Sequence, residues 1–342
     1  MSELNIGIVG LGRLGRRHAL NLRHRIRGAR LVAACSPLDE ELGWAAENLP
    51  GVHRHHTLEA MLAEPDVHAV FLVTPTALHA EQIIACLRAG KHVFCEKPLA
   101  LNVEDCQKVE AVAADCPQLK AMVGFVRRFD ASYQDAADKL QQGLVGQAYL
   151  LRSQTCDLND ENGFFVKFAP SSGGIFMDCS IHDIDLARWL LGSPKPVRVW
   201  ATGTNALHPA LADCGDVDNG VAMLEFADGK LACFYASRTQ AHGHETLTEI
   251  FATAGRLTVG ANPRANRVDI SDVHGVRNEC VQDFYQRFAE AFVSEAQHFV
   301  DAVLYDQPLA LSLTDATEAT RIGLAITQAL RSKQVVELCR VT

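Results

Sequence analysis

Asn5-Ile6-Gly7-Ile8-Val9-Gly10-Leu11-Gly12-Arg13-Leu14-Gly15 is the stretch from which the first third of the chain is read. Its near-continuous apolar run is a strand suited to a parallel sheet covered on both faces. Three glycines at this spacing are a weak signal alone. Coming directly off a strand and opening a helix that runs to about Arg25, they form a dinucleotide-binding fingerprint. Gly10 makes the tight turn, Gly12 lets the backbone approach a pyrophosphate, and Gly15 lets the helix pack against the sheet. The helix N-terminus faces the phosphates. Gly10, Gly12, Arg13, Leu14 and Gly15 are therefore candidate cofactor-binding residues.

Strands alternate with helices outward from this point. Leu31–Cys35, Ala69–Val73, Lys91–Cys95 and Ala121–Phe125 read as buried strands. Asp39–Asn48, Thr76–Ala89 and Val103–Ala114 read as helices, and Val52–His56 as a His-rich connection. This rhythm predicts βαβ units, a parallel sheet with helices on both faces, and a first domain spanning 1–124. The second strand ends in Ser36, where a carboxylate would ordinarily bind the ribose hydroxyls. Ser36 suits a ribose hydroxyl or a 2′-phosphate, and Arg13 could reach the phosphate, but Asp39-Glu40-Glu41 disfavours it. The balance leans to NAD, with NADP left open.

Residues 125–342 read differently. A helix over about 132–142 and a strand over 148–153 precede a loop over 156–172 and a single helix over 175–191. Several longer apolar runs joined by turns such as Ala227-Asp228-Gly229-Lys230 then predict a large, mostly antiparallel open sheet. Two closing helices follow, the last able to pack back on the first domain. The fold class is α/β: a doubly wound parallel sheet followed by an α+β domain. Apolar residues on both faces of the later strands, among them Val221, Met223 and Leu231, imply a face covered by another subunit, hence a homo-oligomer.

Phe94-Cys95-Glu96-Lys97-Pro98 puts a lysine just past a strand, at the edge where open parallel sheets bind ligands. In the second domain, Asp178, His182 and Asp185 fall at i, i+4 and i+7, on one face of a continuous helix. A carboxylate one turn from a histidine orients the ring and raises its basicity, as a general base requires.

The net charge of −9 argues against a nucleic-acid surface. Eleven scattered cysteines without a Cys-x-x-Cys pair suggest neither a disulfide framework nor a zinc site, and His242 and His244 lack a third ligand at sensible spacing. Met1–Asn5 shows no signal-peptide pattern and no stretch is long enough to span a membrane, so the expectation is a cytoplasmic protein without a bound metal.

Taken in order, the Gly10 fingerprint, Thr74-Pro75-Thr76-Ala77-Leu78-His79, Glu96-Lys97-Pro98 and Gly173–Asp185 resemble the Gfo/Idh/MocA oxidoreductases over essentially the whole chain. Within that family the chain is most similar to the inositol 2-dehydrogenases, through Gly124–Asp130 and Gly174–Asp185. The resemblance implies NAD(P)-dependent oxidation of a cyclic polyol, myo-inositol giving the 2-keto product. It implies Lys97 beside the nicotinamide and the reacting carbinol, a cis Lys97–Pro98 bond, His182 as base and Asp178 close by. Arg127, Asp157 and Asp185 would hold substrate, and Thr74, Pro75, His79 and Glu96 would line the cofactor. The alternatives are scyllo-inositol, an aldose or a deoxy-sugar as substrate, or a dinucleotide-binding sensor or repressor. Intact Lys97, Asp178 and His182 weigh against the sensor.

Overall fold

A computed structural model describes residues 3–338; Met1, Ser2 and Cys339 lie outside the described residues. The chain forms two compact units, residues 1–129 with 290–318, and residues 130–289 with 319–342.

In the first unit, β1 (Leu4–Val9), α1 (Arg13–His24), β2 (Ala29–Cys35), α2 (Asp39–Asn48), β3 (His53–His55), α3 (Leu58–Leu62) and β4 (Ala69–Leu72) come first. They are followed by α4 (His79–Arg88), β5 (His92–Glu96), α5 (Val103–Ala114) and β6 (Ala121–Gly124). The strands form one parallel sheet in the order β3-β2-β1-β4-β5-β6. The order reverses between β1 and β4, which puts a crevice at the carboxyl ends of these strands. Within the expected Val52–His56 connection, His53–His55 is instead the edge strand: its backbone pairs with Ala33–Cys35 while His53 and Arg54 face solvent. Edge pairing asks nothing apolar of the side chains, so the pattern did not signal it. The expected Thr76–Ala89 helix starts as a 3₁₀ turn over Thr76–Leu78 and becomes α-helical only at His79.

Two glycines are required by contact. Gly10 has φ +87° and a Cβ there would stand 2.4 Å from the Val73 carbonyl oxygen. A Cβ on Gly15 would stand 1.9 Å from the Gly10 carbonyl oxygen. Behind the sheet Phe71 stacks on Phe94 at 4.5 Å, and Phe299, from residues 290–318, packs edge-on to both.

The second unit contains α6 (Ala131–Gln141), β7 (Ala148–Leu158), α7 (Phe164–Ser172), α8 (Ile175–Asp178), α9 (Ile181–Leu190), β8 (Pro196–Thr204) and β9 (Asn219–Phe226). Next come β10 (Leu231–Gln240), β11 (Glu245–Ala252), β12 (Gly255–Val259), and the small hairpin β13 (Ile270–Asp272) and β14 (Gly275–Arg277). Helices α10 (Phe284–Leu304) and α11 (Leu313–Ser332) and the short β15 (Val336–Glu337) complete the chain's elements. The seven-stranded sheet runs β12-β11-β7-β10-β9-β8-β15, with β7 and β10 its one parallel pair.

Two expectations fail here. The strand expected to end at Ser153 continues to Leu158, because β10 and β11 pair with it on both sides, and the expected loop holds α7. The single helix expected over 175–191 is broken at Cys179–Ser180. There the Ser180 N–H reaches back to the Ile175 carbonyl at 3.3 Å, five residues away instead of four, so the i, i+4, i+7 argument for Asp178 does not hold as drawn.

Alternation along β8–β10 buries Val199, Ala222, Leu224, Ala232 and Phe234, and leaves Trp200 (41%), Val221 (37%) and Met223 (50%) exposed on the opposite face. Buried thiols occur in both units: burial pushes Cys35 up to about 11 and Cys86 and Cys156 up to about 12.

Gly15→Ala should destabilise the chain by about 1–3 kcal/mol or abolish folding, since backbone must move to admit the methyl. Thermal unfolding checks this, and an unchanged melting temperature would contradict it.

Candidate active site

The first unit presents a cleft of about 750 Å³ lined by Gly10, Gly12, Ser36, Glu41, Thr74 and Pro75 among others. Gly12 has extended backbone, and the atom nearest its would-be Cβ is Glu41 Oε1 at 3.7 Å. Its lack of a side chain serves open space, not internal packing. That is the cradle a pyrophosphate needs at the N-terminus of α1, so the residues present fit a dinucleotide. Ser36 is fully buried and donates to Glu41 Oε2 at 2.6 Å, and the Leu11 N–H donates to the same oxygen at 3.1 Å. A carboxylate from the first turn of α2 therefore stands beside the end of β2, though the sequence presents it only as part of an acidic run. Arg13 is exposed and lines an adjoining cavity, which shares Gly12 with this cleft, together with Arg16, Arg17 and Trp44. Leu14 is half-buried.

Lys97 follows directly on β5, half-buried, with its peptide bond to Pro98 cis. Its backbone N–H donates to Glu96 Oε2 at 3.2 Å, while Glu96 Oε1 meets His18 Nε2 at 2.7 Å. Glu96 therefore points inward and braces the loop. His79 is buried, with Nδ1 2.8 Å from the Pro98 carbonyl and Nε2 2.8 Å from the Thr74 carbonyl. It ties the two loops that carry Thr74 and Lys97, and burial holds its ring below the ordinary imidazole range. Arg127 is buried in the 3₁₀ turn Val126–Phe129.

Glu295 adds a group that no motif announced. It is fully buried, and neither carboxyl oxygen has a hydrogen-bond partner among the described residues. A Cβ on Gly124 would lie 3.4 Å from both Glu295 Oε1 and Glu96 Oε2, so the two acids face one gap. Burial pushes the Glu295 carboxyl well above the usual range, and the neighbouring Glu96 charge adds to this.

In the second unit, Asp178 at the end of α8 is 3.4 Å from Nη2 of Arg238, a fully buried guanidinium whose Nη1 donates to Asp216 at 3.0 Å. Asp216 also accepts the Ile175 N–H at 3.0 Å, which fixes the start of α8 behind Gly174. On α9, Asp183 points into the sheet and accepts from Ser153 at 2.5 Å and Thr155 at 2.6 Å. His182 is half-buried and Asp185 buried on the same helix. Asp157, on the extension of β7, accepts from His244 Nδ1 at 2.9 Å and from the Cys179 thiol at 3.6 Å. Burial pushes the Asp157 carboxyl up, but the His244 hydrogen bond and charge outweigh it and hold the pKa below the usual value. His244 is itself buried; His242 is exposed and pairs with Glu245. The second unit therefore carries an Arg/Asp pair and a His/Asp pair around the α8–α9 break; no motif marks Arg238 on β10, and His244 pairs with a carboxylate.

Residues 4–125 match the family model described as an oxidoreductase family with an NAD-binding Rossmann fold, and residues 133–258 match the Gfo/Idh/MocA C-terminal domain. The chain belongs to the Gfo/Idh/MocA oxidoreductase family. Its first unit carries the NAD-binding fold, and the chain is an oxidoreductase. It is 35% identical over 340 residues to the scyllo-inositol 2-dehydrogenase (NAD(+)) of Bacillus subtilis, covering 98% of this chain and 96% of that one. It is 32% identical to the myo-inositol 2-dehydrogenase of Thermotoga maritima, covering 98% of each. The crystal structure of scyllo-inositol dehydrogenase from Lactobacillus casei with bound NAD(H) and scyllo-inositol superposes with a TM-score of 0.94 at 40% identity, covering 98% of this chain and 99% of that one.

Glu295 generates a pH signature. Its folded pKa lies above the unfolded one, so its contribution to stability is full below the ordinary glutamate pKa of about 4.3 and is lost as pH rises. Glu295→Gln should raise the melting temperature at pH 7–8, and the gain should shrink toward pH 4. Thermal melts across that range check it; a gain independent of pH, or a loss at pH 8, would contradict it.

Proposed function

We propose that the chain is an inositol 2-dehydrogenase, oxidising one hydroxyl of a cyclic polyol with NAD, with the first unit holding the dinucleotide and the second the substrate. The observation that carries this reading is Lys97 itself: a lysine fixed at the carboxyl edge of the NAD-binding sheet by the Glu96 carboxylate under its backbone N–H. Relatives named for activity on scyllo- and on myo-inositol, aligned over nearly the full length, support the substrate class. These isomers differ in configuration at one carbon, and oxidation there yields the same ketone.

Bound NAD supplies the hydride acceptor. His182 accepts the hydroxyl proton as the C–H bond breaks and later passes it to water. Asp178, held by the buried Arg238, is the carboxylate we assign to orienting the imidazole. The Lys97 ammonium stabilises charge building on the alkoxide oxygen. Arg127, Asp157 and Asp185 hold the remaining hydroxyls, with His244 fixing Asp157 as an acceptor. Thr74 and Pro75 line the cofactor cleft.

The protein acts as a homotetramer, associating through the exposed face bearing Trp200, Val221 and Met223. No helix among the described residues is long and apolar enough to cross a membrane. Buried thiols in both units suit a reducing compartment such as the cytoplasm.

With myo- or scyllo-inositol and NAD, absorbance at the reduced-nicotinamide band should rise; silence with both isomers would overturn the substrate reading. Lys97→Ala and His182→Ala should each cut turnover by roughly 10²–10⁴-fold while leaving NAD affinity unchanged. Near-normal turnover in either would remove that residue's role. Light scattering should give four times the chain mass, and Met223→Lys should lower it; a wild-type monomer would rule out the assembly.

A further inference from the structure

The ribose end of the cleft contains a selector that its strand-end residue conceals. Three observations bear on it. First, the Glu41 carboxylate is tied by one oxygen: Oε2 takes both the Ser36 hydroxyl at 2.6 Å and the Leu11 N–H at 3.1 Å. Oε1 has no hydrogen-bond partner among the described residues, and it lies 3.7 Å from the position of a Cβ on Gly12. Second, Ser36 is spent inside the protein, its hydroxyl donating to Glu41 and accepting from the Leu38 N–H at 3.1 Å. It is therefore a brace for Glu41 and has no remaining donor for a phosphate. Third, the cleft lining includes the carboxylates Glu41, Glu59 and Glu81, neither a lysine nor an arginine, and one imidazole, His56, which lies 3.8 Å from Asp39. The nearby guanidinium of Arg16 is turned away: Nε donates to the Leu11 carbonyl at 2.9 Å and the group lies over Trp44 at 5.2 Å. Arg13 lines the adjoining cavity, which shares Gly12 with the cleft.

We propose that Glu41 selects NAD over NADP: Oε1 accepts from the adenosine ribose hydroxyls, and the carboxylate charge repels a 2′-phosphate. A phosphate monoester carries up to two negative charges at neutral pH, and placing it against a carboxylate is unfavourable by like-charge repulsion. The task ordinarily done by an acid at the strand end is done by an acid five residues later in sequence. α2 brings it back to the same edge, and Ser36 holds it there. This rests on the first unit being an NAD site.

The test is direct binding, by titration calorimetry with NAD and with NADP, of the full chain and of three variants. Wild type should favour NAD by about 100-fold or more, and Glu41→Gln and Glu41→Ala should each shrink that ratio by about tenfold or more, with NADP binding gained in absolute terms. The gain is the decisive reading, because damage to the glycine loop through the lost Leu11 bond weakens both dinucleotides together. Ser36→Ala, which keeps the carboxylate, should retain a preference for NAD. Equal wild-type affinities, or a ratio unmoved in both Glu41 variants, would remove Glu41 as selector while leaving the NAD site intact. Wild-type binding of neither dinucleotide would instead overturn the NAD reading beneath it.

Discussion

Where β1 hands the chain to α1, a carbonyl oxygen and an α-carbon come together so closely that a methyl on Gly15 would stand 1.9 Å from the Gly10 oxygen. The first unit depends on this approach. It sets α1 against the sheet at its start, turns the N-terminal N–H groups of that helix toward the crevice, and leaves the Gly12 side open. The fold's sidedness follows, since every strand of the parallel sheet then ends along the same edge. Lys97, Thr74 and Glu41 reach that edge from three separate stretches of sequence, each at or beyond a strand end.

The second unit is held by a different constraint, the need to match charges taken out of water. Arg238 is fully buried between Asp178 and Asp216, and Asp183 is buried against two hydroxyls. Removing one member of such a set leaves a buried charge or hydroxyl unmatched, which costs more than the set contributes net. The network therefore specifies geometry more than it adds stability. It fixes the start of α8, seats α9 on β7, and orients Asp178.

Much of this was readable in the residues. The glycine fingerprint works because sterics act locally, and burial patterns carried β1, β2, β4 and β5 with nearly their observed bounds. The apolar alternation along β9 and β10 likewise foretold a face without cover. What escaped depends on partners distant in sequence. The extension of β7 exists because β10 and β11 flank it, and no property of Thr155–Leu158 announces that. The break at Cys179–Ser180 lies in a stretch with no proline and no glycine between Ile175 and Leu190, so nothing local marks it. Asp39-Glu40-Glu41 reads as an acidic run set against a 2′-phosphate, but which of the three turns inward depends on the crevice geometry at Leu11 and Ser36. Glu295 carries no mark in the sequence, because what sets it apart is the gap it shares with Gly124 and Glu96.

The sulfhydryls described among the core residues give the molecule a property unrelated to its catalytic groups. Cys86 and Cys95 lie in the interior of the first unit, Cys156 in that of the second, each held as the uncharged thiol by its surroundings. An alkylating reagent attacks only the thiolate and only where it can reach. Each of these sulfurs is therefore silent until its own neighbourhood opens, and the pace at which each is tagged becomes a local clock of breathing in the unlabelled, unaltered protein.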